Sequence, residues 1–151
     1  MPRHEEQVTL AYGADELSAV VADVKDYRLF VPWCGGARIH REDQREIIAD
    51  LVIGFGPFQE SSTSEVTLDR PRRVLVRATE GPREHLINTW TFTPVGDETH
   101  VDFIIDFQFK SHLLDHAANG MFHAATTRMM SAFESRVHLL HMMRRHAAQH
   151  P

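Results

Sequence analysis

An α+β fold, a curved antiparallel sheet of seven strands held against one long C-terminal helix, follows from three features of the sequence. The middle of the chain alternates apolar and polar residues with a period of two, the signature of half-buried strands. The separators between these runs are short and rich in Gly, Pro and Asp, which fits antiparallel hairpins because parallel neighbours need long crossovers. The last third changes to apolar steps of three and four, the spacing of an amphipathic helix.

The elements can be justified in chain order. Val8, Leu10 and Tyr12 alternate with Gln7, Thr9 and Ala11 and predict a first strand with one apolar face. Asp15 is placed to cap a helix in which Leu17, Val20, Val21 and Val24 recur at helical spacing. A second short helical piece, Lys25 to Phe30, stops before Pro32. Six strands follow at 37–42, 46–55, 58–69, 72–80, 86–94 and 99–109, parted by Glu42-Asp43-Gln44, Gly54-Phe55-Gly56-Pro57, Asp69-Arg70-Pro71, Gly81-Pro82 and Pro94-Val95-Gly96-Asp97. Ser111 is placed to cap a helix from His112 to about His146, roughly 50 Å at 1.5 Å per residue. Its apolar stripe runs through Leu114, Ala118, Met121, Phe122, Ala125, Met129, Ala132, Phe133, Val137 and Leu140.

Length and composition bound the function. A chain of 151 residues is expected to form one domain, residues 1–151, and to bury about 70% of its extended surface without disulfides or metal. The single cysteine, Cys34, excludes an intrachain disulfide. The first residues lack the apolar segment of a secretory signal, and no apolar run approaches the ~20 residues of a membrane helix, so a cytoplasmic protein is expected. A net charge of −5 gives no bulk support for nucleic-acid binding.

A sheet gripping a single helix cannot close along its whole length, so an internal cavity is expected between them. Strand parity names its walls. Ile47, Ala49, Leu51, Ile53 and Phe55 point inward from one strand, Leu86, Asn88, Trp90 and Phe92 from another, and Val101, Phe103, Ile105, Phe107 and Phe109 from the last. The strand 58–69 puts Glu60, Ser62 and Ser64 inward beside Phe58, Val66 and Leu68. Buried polar groups without partners cost a few kcal/mol, so either a bulge shifts the register or Glu60, Ser62 and Asn88 mark the polar end of a pocket. Trp33, Met121, Phe122, Met129 and Phe133 complete the apolar lining.

Other chemistry finds little support. His112 and His116, and His138 and His141, have spacings that could share a ligand, but no His-Glu-x-x-His motif or cysteine cluster accompanies them; they read as solvated helix histidines. Cys34 has no adjacent base and reads as a small, semi-buried thiol. Glu60 is the one inward carboxylate that could serve as an acid or base. Three apolar features, Phe30-Val31-Pro32-Trp33, Phe55-Gly56-Pro57-Phe58 and Leu139 to Arg145, have the composition of a membrane-surface contact.

The segment Tyr27-Arg28-Leu29-Phe30-Val31-Pro32-Trp33-Cys34 resembles the signature of the coenzyme Q-binding START-domain proteins, and Met129-Met130-Ser131-Ala132-Phe133-Glu134-Ser135-Arg136 resembles that family's closing motif. Val52-Ile53-Gly54-Phe55, Ser64-Glu65-Val66, Trp90-Thr91-Phe92, Val101-Asp102-Phe103 and Phe107-Gln108-Phe109-Lys110-Ser111 add to the resemblance, which covers about residues 4–140. It implies the helix-grip fold of START, polyketide cyclase and Bet v 1-like proteins. It also implies a non-enzymatic protein that needs no cofactor, carries ubiquinone or another lipid as its ligand, and supports respiration or quinone synthesis at the inner (cytoplasmic) membrane. The implied partners are a transient membrane surface and proteins of the respiratory chain or of quinone synthesis. In this reading Phe30, Val31, Pro32 and Phe58 form the lip of the cavity, with Arg144 and Arg145 assisting if the helix end lies nearby. A bacterial branch with similar motifs is described as a ribosome-association toxin, and the superfamily includes polyketide cyclases; the ribosome and cyclase chemistry are the alternative readings.

Overall fold

The computed structural model describes the backbone of residues 3–32, 34–55, 58–80, 83–109 and 112–149, and the side chains of these except at 53, 55, 58–60, 79–80, 83–85, 107–109 and 112–125. Strand β1, Arg3–Leu10, leads into helix α1, Ala14–Ala22, and a short 3-10 helix, Val24–Leu29. Strands β2 (Cys34–Glu42), β3 (Glu46–Phe55), β4 (Phe58–Asp69), β5 (Arg73–Glu80), β6 (Arg83–Val95) and β7 (Glu98–Phe109) follow, and helix α2, His112–Gln149, closes the order.

All seven strands form one sheet in the order β1-β7-β6-β5-β4-β3-β2, every pair antiparallel. The hairpin meander from β2 to β7 is the arrangement that short separators demand; β1 closes the far edge by pairing Val8 with Val101. Register shifts between Cys34 and Gly36, Ile39 and Arg41, Thr63 and Ser64, and Arg83 and His85 add the local twist that lets a sheet curve round a helix. At the β6–β7 turn, Gly96 has φ of 63° and, among the described residues, no other residue type has positive φ, the sign pattern of a two-residue type II′ turn, which favours glycine at its first position.

Hydrophobic residues from three layers meet in one core. Val20, Val21 and Val24 come from α1 and the turn after it, Ile47, Leu51, Val66, Val74, Trp90, Phe92, Val101 and Phe103 from the sheet, and Met129, Met130, Phe133 and Val137 from α2. The alternation that predicted the strands is therefore the alternation of burial, and among the described residues of α2 the stripe positions Met129, Phe133 and Val137 are buried.

Several local expectations need correction. The strand expected through Tyr12 ends at Leu10, and the helix cap is Gly13 rather than Asp15. Gly13 is extended (φ −70°, ψ 152°) and its carbonyl accepts the first helical bond from Leu17 N–H at 3.1 Å, which leaves Asp15 inside the first turn, where a carboxylate favours the positive end of the helix dipole. The second helical piece is 3-10, one residue earlier than expected. The expected Ser111 cap lies outside the described residues. His138 and His141 are not simply solvated: the Tyr12 hydroxyl and His138 Nδ1 lie 2.7 Å apart, and His141 Nδ1 lies 2.9 Å from Glu16 Oε2.

Candidate functional site: the aromatic interior beneath the long helix

Trp90 is the centre of the interior. It projects from β6, an interior strand of the sheet, and meets α2 at Phe133. Its ring lies 4.6 Å from Phe103 on the neighbouring strand and 4.8 Å from Phe133 on α2, both edge-on, and is stacked near Phe92 at 6.3 Å. Edge-to-face packing sets the positive ring edge against the negative face and adds to the gain from burial alone. Phe133 in turn meets Tyr27 at 5.6 Å and Phe30 at 5.1 Å, so the turn after α1 is bound to the sheet through one helix phenylalanine.

A polar thread crosses this apolar interior. The Trp90 indole Nε1–H donates to Asn88 Oδ1 at 3.0 Å, and Asn88 Nδ2 donates to the Ile104 carbonyl at 3.0 Å. Asn88, Ser62 and Ser64 are all buried. The β3–β4 register runs unbroken from Glu46 opposite Thr67 to Phe55 opposite Phe58, so no bulge on that side alters parity, and the Thr63/Ser64 irregularity in the pairing with β5 leaves Ser62 and Ser64 both buried. Glu60 shares their backbone parity and pairs with Ile53; its side chain lies outside the described residues.

Of the residues expected to line a pocket, Leu51, Ser62, Asn88, Trp90 and Phe103 of the sheet and Met129 and Phe133 of α2 are all buried. Trp33, and the side chains of Ile53, Phe55, Phe58, Glu60, Phe107, Met121 and Phe122, lie outside the described residues. Among the described residues the space beside Trp90 and Phe133 is small, about 10 Å³, bounded by Leu10, Leu17, Val21, Phe92, Val101, Met130 and Val137, with Glu134 at its edge. This half of the interior is packed core. Sequence reasoning missed Tyr27, Met130 and Thr126, all buried; the spacing of Val24, Tyr27 and Val31 was the available signal for the first.

The expected lip divides. Backbone register places Cys34 opposite Ile53 and Phe55 opposite Phe58, so the segment before β2 and the β3–β4 hairpin share one end of the sheet. Phe30 is half-buried against Phe133 and Pro32 is exposed, but Val31 is in the core: its N–H bonds to Tyr27 O at 2.8 Å, and its side chain is 3% exposed, so it cannot meet lipid. Arg144 stands at the other end. Its Nη1 is 3.8 Å from Glu16, and it borders an open groove of about 1000 Å³ with the β2–β3 turn at Asp43 and the β4–β5 turn at Asp69. The helix end therefore gives no help to a lip at Phe55–Phe58, because a ten-residue strand separates the two ends of the sheet.

Burial governs the titratable groups of the interior. It pushes the Tyr27 phenol far above the ordinary range, and the phenol donates to the Val21 carbonyl. It also raises the Cys34 thiol, whose Sγ donates to the Gly36 carbonyl at 3.4 Å, which makes the thiol a poor nucleophile. Among the described residues no cluster of three or more His, Cys, Asp or Glu is placed to hold a metal ion, and no helix is long and apolar enough to cross a membrane.

Comparison with known proteins agrees with this architecture. The family described as "Polyketide cyclase / dehydrase and lipid transport" matches residues 10–134. The ribosome association toxin RatA of Rickettsia prowazekii (strain Madrid E) is 37% identical over 131 residues, covering 84% of this chain and 90% of the relative. The mitochondrial coenzyme Q-binding protein COQ10 of Drosophila melanogaster is 33% identical over 129 residues, covering 82% of this chain but 53% of the relative, so the chain spans about half the length of that protein. Among solved structures, the Zhui aromatase/cyclase from Streptomyces sp. R1128 superposes with a TM-score of 0.80 at 19% identity, covering 91% of this chain and 93% of its own, a likeness of fold alone. With the family matched over most of its length and the helix-grip architecture in place, the chain belongs to the polyketide cyclase/dehydrase and lipid transport family and has relatives among both coenzyme Q-binding proteins and ribosome association toxins.

Proposed function

We propose that the protein binds an isoprenoid quinone, ubiquinone in the first instance, between its sheet and α2, and presents it at the inner (cytoplasmic) membrane to the respiratory chain or to quinone synthesis without covalent chemistry. The observation that carries this reading is the polar thread through an otherwise apolar interior: Ser62, Ser64 and Asn88 are buried on the same sheet face as Leu51, Trp90 and Phe103. An isoprenoid tail gains about 0.8 kcal/mol for each CH₂ taken from water, and a quinone carbonyl is the kind of weak acceptor such inward groups can orient. The name of the Drosophila relative supports the ligand class. Leu51, Ile53, Phe55, Trp33, Phe107, Met121, Phe122 and Met129 are the proposed tail contacts, with Glu60, Ser62 and Asn88 at the head group. Phe30, Pro32 and Phe58 are the proposed lip.

A second reading has its own observation. The Rickettsia ribosome association toxin is the more similar of the two relatives and matches over 90% of its length, which favours a ribosome-directed role. One preparation tests both. Purified protein is extracted with organic solvent and the extract read by mass spectrometry, while a second portion is sedimented with ribosomal subunits. The quinone reading expects a polyisoprenoid quinone in near-stoichiometric yield. An extract free of quinone, with the protein pelleting with subunits, overturns it in favour of the second.

A further inference from the structure

The outward side of α2 carries an apolar patch that the core does not use. Leu139, Met142 and Met143 are 50%, 48% and 57% exposed. Met142 follows the buried Phe133 by nine residues, two and a half turns, which puts it on the opposite side of the helix from the sheet. Exposed Arg128, Arg145 and His146 flank the patch, with exposed Ser131 and Ser135 along the same side. From Ser135 to Gln149 the chain has three arginines, three histidines and no Asp or Glu, in a protein whose net charge is −5. Arg136 and Arg144 are drawn toward Asp26 and Glu16, each at 3.8 Å, while Arg145 is exposed.

We infer that this outward face of α2, centred on Leu139, Met142, Met143 and Arg145, docks on an anionic phospholipid surface. The charge pattern selects that occupant. A second copy of the chain would set two net-cationic faces against each other, since Glu134 is the one exposed acid on this side against Arg128, Arg145 and His146. An RNA offers phosphates but no apolar medium for one leucine and two methionines. An anionic bilayer supplies both, with phosphates for Arg145 and Arg128 and an acyl boundary for the apolar triad. The face needs no bound ligand and stands apart from the quinone reading.

The test is flotation of the full chain with quinone-free vesicles of phosphatidylcholine alone or with added phosphatidylglycerol, at low and high salt. Wild type is compared with Leu139→Ser, Met142→Ser and Met143→Ser combined, and with Arg145→Glu; circular dichroism checks that these exposed changes keep the fold. Wild type should float with the anionic vesicles and lose binding in high salt, and both variants should bind about fivefold less or weaker. Absence of wild-type flotation with anionic vesicles, or equal flotation by the triple variant, overturns the inference whether or not quinone is extracted from the protein. Sedimentation with ribosomal subunits that the triple variant loses, without flotation, assigns the face to the ribosome instead.

Discussion

Asn88 and Trp90 stand two residues apart on one face of β6, and the indole N–H of Trp90 is satisfied by the Asn88 side-chain oxygen at 3.0 Å. A tryptophan at the centre of an apolar core must find an acceptor for its N–H, and here its own strand supplies one. The same amide donates to Ile104 O on β7, so one polar side chain links two central strands and the largest ring of the core.

Replacing Asn88 by Leu should therefore destabilise the protein by about 1–3 kcal/mol, since it leaves the Trp90 N–H and the Ile104 carbonyl without this partner. Urea denaturation measures the change. A variant as stable as wild type would mean that another group, water included, takes over both bonds. Quinone content per folded molecule, read on the same samples, separates the structural role from any head-group role.

Phe133 is the α2 ring that meets Tyr27, Phe30 and Trp90 together. Phe133→Ala should cost about 3–5 kcal/mol by loss of buried area and by the cavity left between helix and sheet. Because Phe30 leans on this ring, the segment before β2 should loosen with it, read as faster amide hydrogen exchange at Phe30 and Val31 than in wild type. Unchanged exchange there would show that Tyr27 alone holds the segment.

Asp43 links the β2–β3 turn to pH. Its Oδ1 accepts the N–H groups of Arg45 and Glu46, both at 2.8 Å, and these bonds hold its carboxyl below the ordinary carboxylate range. A depressed folded pKa contributes stability that is fully present above the unfolded value of about 3.9 and is lost as pH falls through the lower folded value. The urea midpoint of Asp43→Ala should thus lie below that of wild type at neutral pH, and the gap should close in acid. An equal gap at both pH values would assign the loss to turn conformation and not to the carboxylate.

Glu60 is the test of the proposed head-group end. Its backbone parity matches that of the buried Ser62 and Ser64. Glu60→Gln keeps shape and removes charge, so it should leave stability within about 0.5 kcal/mol at neutral pH if the group is solvated. If it is desolvated, the variant should be more stable and should change the ratio of quinone to hydroquinone recovered on extraction, because a buried carboxylate resists ionisation and a hydroxyl donor seeks an acceptor. An unchanged stability and ratio would remove Glu60 from the site.

What the sequence by itself determined about this protein is which face each element turns inward. Alternation over Ile47, Ala49 and Leu51, and over Asn88, Trp90 and Phe92, is a local property of a pleated strand, and the steps through Met129, Phe133 and Val137 are a local property of a helix; burial follows both. Buried Ser62 and Ser64 were legible for the same reason. The tertiary structure alone decided which segments meet. Nothing local in Tyr12 or Glu16 announces His138 or His141, more than a hundred residues away, and nothing in the composition of Leu139 to Arg145 tells which end of the sheet it reaches. Val31 looks like lip in a run of apolar residues, yet its N–H bond to Tyr27 turns it into the core while Pro32 beside it stays exposed. Periodicity is written by neighbours two to four residues apart along the chain, whereas juxtaposition is set by chain topology and by the competition of every apolar group for one limited interior.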